Sequence, residues 1–228
     1  MLEVENVIVF DTETTGLSAS DKVVELAYLI GDTSGKVLAE RRFVIDCGIP
    51  ILNTSFHGIT TEMATREGVL LQTAYDSMME DVRKHGVNLR VAHNVSFDDR
   101  VLSKEVSNYD FGAIETFCTM EVGQYALNVL KWPKLVELHR FFFYNEDYIP
   151  HRALNDVRAT YKCFVRLALR LNEACITALK VKQILSFRSM AKRGNCDAFV
   201  RKYNNIIFPA KTPEADVVDN GESDDDDF

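Results

Sequence analysis

Residues 7–10, Val-Ile-Val-Phe, form an unbroken β-branched and aromatic run that ends directly on Asp11-Thr12-Glu13. Such a run reads as a buried strand. Side chains leave a strand with a period of two, so Asp11 and Glu13 point to the same side. Two like charges at the exit of a buried strand repel each other and lose hydration. That arrangement is costly unless a cation neutralises it, and Mg²⁺, a hard ion that prefers oxygen ligands, suits the pair. Taken alone, a D-x-E pair is more often a solvated strand edge, so the remainder of the chain has to decide.

The pattern that follows is that of an α/β layered domain. Residues 23–30 and 36–45 read as the second and third strands of an antiparallel meander, with Gly31 to Gly35 as the turn. Residues 47–68 contain Gly48, Pro50, Gly58 and Gly68 and are expected to form a loop region. Apolar residues recur at helical spacing over 71–84. A strand is expected at 87–92, a helix at 96–106 and a short strand at 114–118, with further helices over 121–130, 133–142 and 154–171. No internal repeat is visible.

The formal net charge of −8 argues at first against a nucleic-acid partner. Its distribution reverses that impression. From Pro209 to Phe228 eight acids face the single base Lys211, a local −7, which leaves −1 for everything before. Residues 173–208 carry seven bases against Glu173 and Asp197, a local +5. Three parts are therefore expected: a near-neutral main domain at 1–172, a basic helical extension at 173–208 with a helix near 180–192, and a disordered acidic tail at 209–228. No run of about 18 apolar residues occurs, and residues 1–6 lack the basic start and apolar stretch of a secretory signal. The chain is expected to be intracellular, in the cytoplasm or in a eukaryotic nucleus, neither secreted nor membrane-bound. Five cysteines without a C-x-x-C pair read as free thiols, and the five histidines show no zinc-ligand spacing.

Company for the first acid pair comes from two later stretches. At 91–99, V-A-H-N-V-S-F-D-D, an apolar strand runs into a helix start with two acids. At 150–156, a proline-led stretch sets His151 five residues before Asp156. Each alone has an ordinary explanation, a helix-dipole partner or a loop histidine. In order, however, Asp11-Thr12-Glu13-Thr14-Thr15-Gly16-Leu17, His93-Asn94-x-x-Phe97-Asp98 and His151-x-Ala153-x-x-Asp156 resemble the three motifs of the DEDDh exonucleases. That family includes the epsilon proofreading subunit of bacterial DNA polymerase III and ribonuclease T. Phe56-His57-Gly58-Ile59-Thr60 is similar to the H-G-I-T loop between the first two motifs, and the resemblance runs from Val7 to Leu171.

The resemblance implies a ribonuclease-H-like fold: a mixed central sheet, three antiparallel strands then parallel strands, flanked by helices. It implies that Asp11, Glu13, Asp98 and Asp156 bind two Mg²⁺ ions, for which Mn²⁺ substitutes, and that His151 is the general base. Thr14 and Leu17 would lie at the terminal nucleotide, with Leu17 packing on its base. His57, Asn94 and Phe97 are further substrate-binding candidates, although Asn94 also reads as a helix cap and Phe97 as a core wedge. Of the adjacent acids, Asp98 takes the family position and Asp99 is expected to be a solvated helix residue. Cys118-Thr119-Met120 stands where many relatives have D-T-L.

The implied activity is 3′→5′ exonuclease cleavage that releases nucleoside 5′-monophosphates from single-stranded or frayed DNA 3′ ends, in proofreading, repair or end processing. RNA 3′-end trimming is the rival within the class, since fold and metals do not separate 2′-OH from 2′-H. An inactive nucleic-acid- or partner-binding module is the rival from another class, and the presence of all four carboxylates with His151 counts against it. The expected partner is nucleic acid with a free 3′ end. The basic segment 181–202 fits a phosphate-tracking surface or a solvated amphipathic helix. The tail ending in Phe228 is similar to the tips of single-stranded-DNA-binding proteins, which dock on replication partners. It fits contact with a replication or repair protein, occupation of the basic surface, or a solubilising charge run.

Overall fold

β1 (Asn6–Thr14) is the middle strand of a five-stranded sheet whose order is β3-β2-β1-β4-β5. The other strands are β2 (Val23–Asp32), β3 (Val37–Val44), β4 (Leu89–Ala92) and β5 (Glu115–Cys118). The computed structural model describes residues 6–173 apart from Ala19, Asn128 and Leu130. β1, β2 and β3 pair antiparallel, while β4 and β5 add in parallel. Short connections permit the first set: between β2 and β3, Asp32 accepts from the Ser34 and Lys36 N–H groups at 2.8 and 3.0 Å, and Gly35 takes φ 99. Parallel pairing needs a crossover, which α3 (Leu71–Lys84) and α4 (Val95–Glu105) provide. The mixed sheet flanked by helices is the expected fold.

Alternation along β1 assigns its two faces. Val7 and Val9 pack with Ala27 and Leu29 against α7 (Ala153–Glu173). Ile8 and Phe10 pack with Tyr28 and Ile30 against α3 and α4. A strand covered on both sides must be apolar throughout, which is why 7–10 is one hydrophobic run. Continuing the alternation puts Asp11 and Glu13 on the α7 face and Thr12 and Thr14 on the α4 face.

The stretch expected to be a loop contains two short helices, α1 (Thr54–His57) and α2 (Thr61–Glu67). Gly58, at φ 72, closes α1 by donating its N–H to the Thr54 carbonyl at 2.7 Å. The Thr60 hydroxyl then caps α2 by accepting from the Met63 N–H at 3.2 Å. Gly58 and Gly68 are thus helix punctuation. α5 (Thr119–Ala126) and α6 (Leu135–Phe142) are shorter than the expected 121–130 and 133–142. Among the described residues, no helix is long and apolar enough to cross a membrane. The expected acidic tail, and all of the basic extension except Glu173, lie outside the described residues.

Leu102 is fully buried on α4, one turn beyond Asp98. Leu102→Ala is expected to lower unfolding stability by about 2–5 kcal/mol, read from urea denaturation at constant m-value.

Candidate active site

At the exit of β1 the two-faced strand meets both flanking helices. Asp156 sits in the first turn of α7, on the side to which Asp11 and Glu13 point. A ligand atom each from Glu13, His151 and Asp156 lies within 4.8 Å of the others. Asp98, in the first turn of α4, reaches the same strand end from the opposite face. Its Oδ1 accepts from the Thr12 N–H at 3.0 Å and from the Thr12 hydroxyl at 2.8 Å. The buried residue between the two acids of the first motif therefore anchors the acid of the second.

The electrostatics follow from burial. Loss of hydration raises the Asp11 carboxyl well above its usual range, and Asp98, Asp156 and Glu13 push it further the same way. Glu13 is pushed up to about 8 by burial, then by Asp156 and Glu25. Asp98 rises to about 7 through burial, against the two Thr12 hydrogen bonds. Asp156 rises to about 6, again through burial and against the N–H groups of His151 and Arg152, which donate to its Oδ2 at 2.8 and 3.3 Å. Four crowded carboxylates that hold protons this tightly call for positive charge. Hard oxygen donors converging with one imidazole fit a divalent cation.

His151 is exposed and has φ 60, a backbone conformation that a side chain rarely adopts. Its ring meets Phe56 edge-on with centroids 6.2 Å apart. Thr14 is buried, with its hydroxyl donating to the Gly16 carbonyl at 2.5 Å, while Leu17 is 83% exposed. Asn94 occupies the N-cap of α4 at φ 75, but its side chain makes no capping bond. Phe97 is half-buried against the core, with the Arg100 guanidinium 5.1 Å from its ring centroid. His57 is placed inward: 1% exposed, it spans Asn53 at 3.2 Å and the Ile59 N–H at 3.1 Å. Its ring braces the turn beneath the site, and the Asn53 amide donates to the Thr14 carbonyl at 2.8 Å.

Asp99 is not a solvated helix residue. It is half-buried, bonded to both terminal nitrogens of Arg90 at 2.5 and 3.1 Å, and also accepts from the Tyr109 hydroxyl. Glu25 has no place among the sequence candidates, yet it is fully buried directly across the strand pair from Glu13. It accepts from Arg42 on β3 and from the Ala153 N–H, at 3.0 Å, where α7 begins. A lone acid inside the apolar run 23–30, facing Glu13 across a hairpin, was the available signal.

Comparison with known proteins points in one direction. Residues 8–164 match the RNase T family model, described as Exonuclease. DNA polymerase III PolC-type of Bacillus subtilis (strain 168) is 32% identical over 169 residues, which are 70% of this chain and 11% of that protein. A DNA polymerase III subunit epsilon-like protein of Rhodobacter capsulatus is 28% identical over 212 residues, 88% of this chain and 27% of the relative. The chain thus spans between 11% and 27% of the length of these curated relatives. The solved structure of exonuclease X in complex with 5′ overhanging duplex DNA aligns at TM-score 0.56 and 27% identity, covering 78% of this chain and 98% of that one.

The raised carboxyls have a consequence for stability. Groups whose folded pKa exceeds the unfolded value stabilise the fold below the unfolded pKa and lose that contribution as pH rises through the folded one. With Asp156, Asp98 and Glu13 at about 6, about 7 and about 8, metal-free protein is expected to lose melting temperature from pH 5 to pH 8. Added Mn²⁺ is expected to raise Tm more at pH 8 than at pH 6. A metal-free Tm that rises across that window would refute the assignment.

Proposed function

Because the chain belongs to the RNase T exonuclease family, we propose that it is a 3′→5′ exonuclease that removes nucleoside 5′-monophosphates from single-stranded or frayed DNA 3′ ends with two Mg²⁺ ions. The observation that carries this reading is the meeting of Asp11, Glu13, Asp98, Asp156 and His151 at one strand end. Support for DNA comes from the names of the relatives, which are DNA polymerase III components and a DNA-bound exonuclease.

Hydrolysis needs a water oxygen to attack phosphorus while the bond to the 3′ oxygen of the preceding nucleotide breaks. His151, exposed and within ligand distance of Glu13 and Asp156, accepts the water's proton. Glu13 and Asp156 hold that water's surroundings, and Asp11 joins them to Asp98 on the leaving-group side. Bound divalent cations supply charge stabilisation at the phosphoryl group. Leu17, exposed at the rim, offers an apolar face to the terminal base, and that contact carries no sequence readout. Residues 1–172 form the catalytic domain in this reading. The basic segment 173–208 tracks incoming phosphates, and the tail to Phe228 contacts a replication or repair protein.

End-labelled DNA and RNA oligonucleotides incubated with Mg²⁺, Mn²⁺ or a chelator test metal need, polarity and sugar preference together. Shortening from the 3′ end of DNA, abolished by chelator, is expected. His151→Ala is expected to lower kcat by about 10²–10⁴ while retaining oligonucleotide binding. Faster trimming of RNA would move the substrate assignment, and a near-normal rate for the variant across neutral pH would remove His151 from its role.

A further inference from the structure

We propose that Arg152 is a phosphate-binding residue that grips a phosphodiester of the strand whose 3′ end enters the site, with its guanidinium resting on the bare backbone of Gly58. The proposal rests on the nuclease reading above and adds to it a residue outside the carboxylate and histidine set.

A Cβ built at Gly58 would lie 2.6 Å from Arg152 Nη2, 2.7 Å from Nη1 and 2.8 Å from Cζ. Three nearly equal distances mean that the guanidinium presents its face to the backbone of the turn after α1. The group thus lies against the 54–60 turn, on the residue that follows His151.

Most of its donors are unspent. A guanidinium carries five N–H donors and cannot lose its charge. The hydrogen bond recorded for this one among the described residues is a long contact from Nη1 to the His151 carbonyl at 3.5 Å. Arg41, Arg42, Arg90 and Arg158 each pair with a carboxylate, whereas among the described residues Arg152 makes no ion pair, Glu13 included. Arg152 is itself exposed, so its guanidinium is open to a ligand while it rests on Gly58. Gly58, at φ 72, closes α1 in a conformation that disfavours a side chain, which leaves its surface bare for that contact. An exposed, unpaired guanidinium beside a site for phosphodiester hydrolysis matches the bidentate geometry of a phosphate. It would also meet negative charge that cations balanced by the carboxylates leave uncompensated.

The test uses the full chain. Binding of an end-labelled single-stranded oligonucleotide is measured in chelator over a range of salt, and kcat and KM with Mn²⁺, for wild type, Arg152→Ala and Arg152→Lys. Arg152→Ala should reduce the slope of log K against log salt by about 0.7 and raise KM about tenfold, with a smaller loss in kcat. Arg152→Lys should keep the slope but recover only part of the affinity, because an ammonium lacks the planar fork. A wild-type slope and KM for Arg152→Ala would overturn the proposal and leave the guanidinium as a cover for the turn. If the wild type itself neither cleaves nor binds the oligonucleotide, the nuclease reading fails and takes this proposal with it. Cleavage by the wild type with an unchanged Arg152→Ala slope fails this proposal alone.

Discussion

Carboxylates buried at the end of a central strand set the terms for everything around them. β1 is covered on both faces, so the first residues past its apolar run inherit a low-dielectric environment before they reach water. Taking an ionised carboxyl out of water without a partner costs several kcal/mol. The fold offsets that cost differently at each position. Asp98 receives two hydrogen bonds from Thr12, Asp156 receives two backbone N–H groups, and Glu25 has Arg42 and the Ala153 N–H. For Asp11 the neighbouring carboxylates act with burial, all raising its pKa. The imbalance at the strand end is what makes the place a cation site, since an added positive charge relieves several repulsions at once.

The same constraint explains why two helices from distant parts of the chain begin here. Helix N-termini carry partial positive charge and unsatisfied N–H groups, and α4 and α7 both direct their first turns at the exit of β1. Asp156 uses this directly, since its Oδ2 caps the loop that leads into its own helix. Glu25 secures α7 from the sheet side, across from Glu13. Removing that carboxylate would strand both Arg42 and a helix N–H, so its contribution is to orientation of the second acid-bearing helix as much as to stability.

Much of this was legible in the sequence, for a physical reason. Period-two alternation along 7–13 puts the first two acids on one side, and the three ordered motifs carry the others. What escaped was long-range or context-dependent. Gly58 and Gly68 look like loop residues until the capping bonds of α1 and α2 are seen. His57 is a candidate through its place in the H-G-I-T stretch, and no local pattern reveals that its ring is enclosed and braces the turn through Asn53. Of Asp98 and Asp99, motif position favours the first, and Asp98 is the one that faces Thr12. The physical cause is a partner that no local pattern reveals: Arg90 on β4 and Tyr109 before β5 together hold Asp99. With Asp99 clamped on that side, the helix phase leaves Asp98 facing Thr12.

His151 differs from the carboxylates in kind. They are fixed by burial and hydrogen bonds, whereas it is exposed, has a left-handed backbone, and meets Phe56, itself 64% exposed. Left-handed backbone at a non-glycine residue costs on the order of 1–3 kcal/mol, and the surrounding contacts must hold it there. Its N–H bond to Asp156 is one such contact, so the acid that helps form the cation site also helps hold the backbone of the histidine beside it. Charge placed on Asp156 therefore bears on His151 through a covalently short path of five residues. Under the proposed function, cation occupancy and the presentation of His151 would be coupled, with a rigid acid set and the proton-accepting group at the surface.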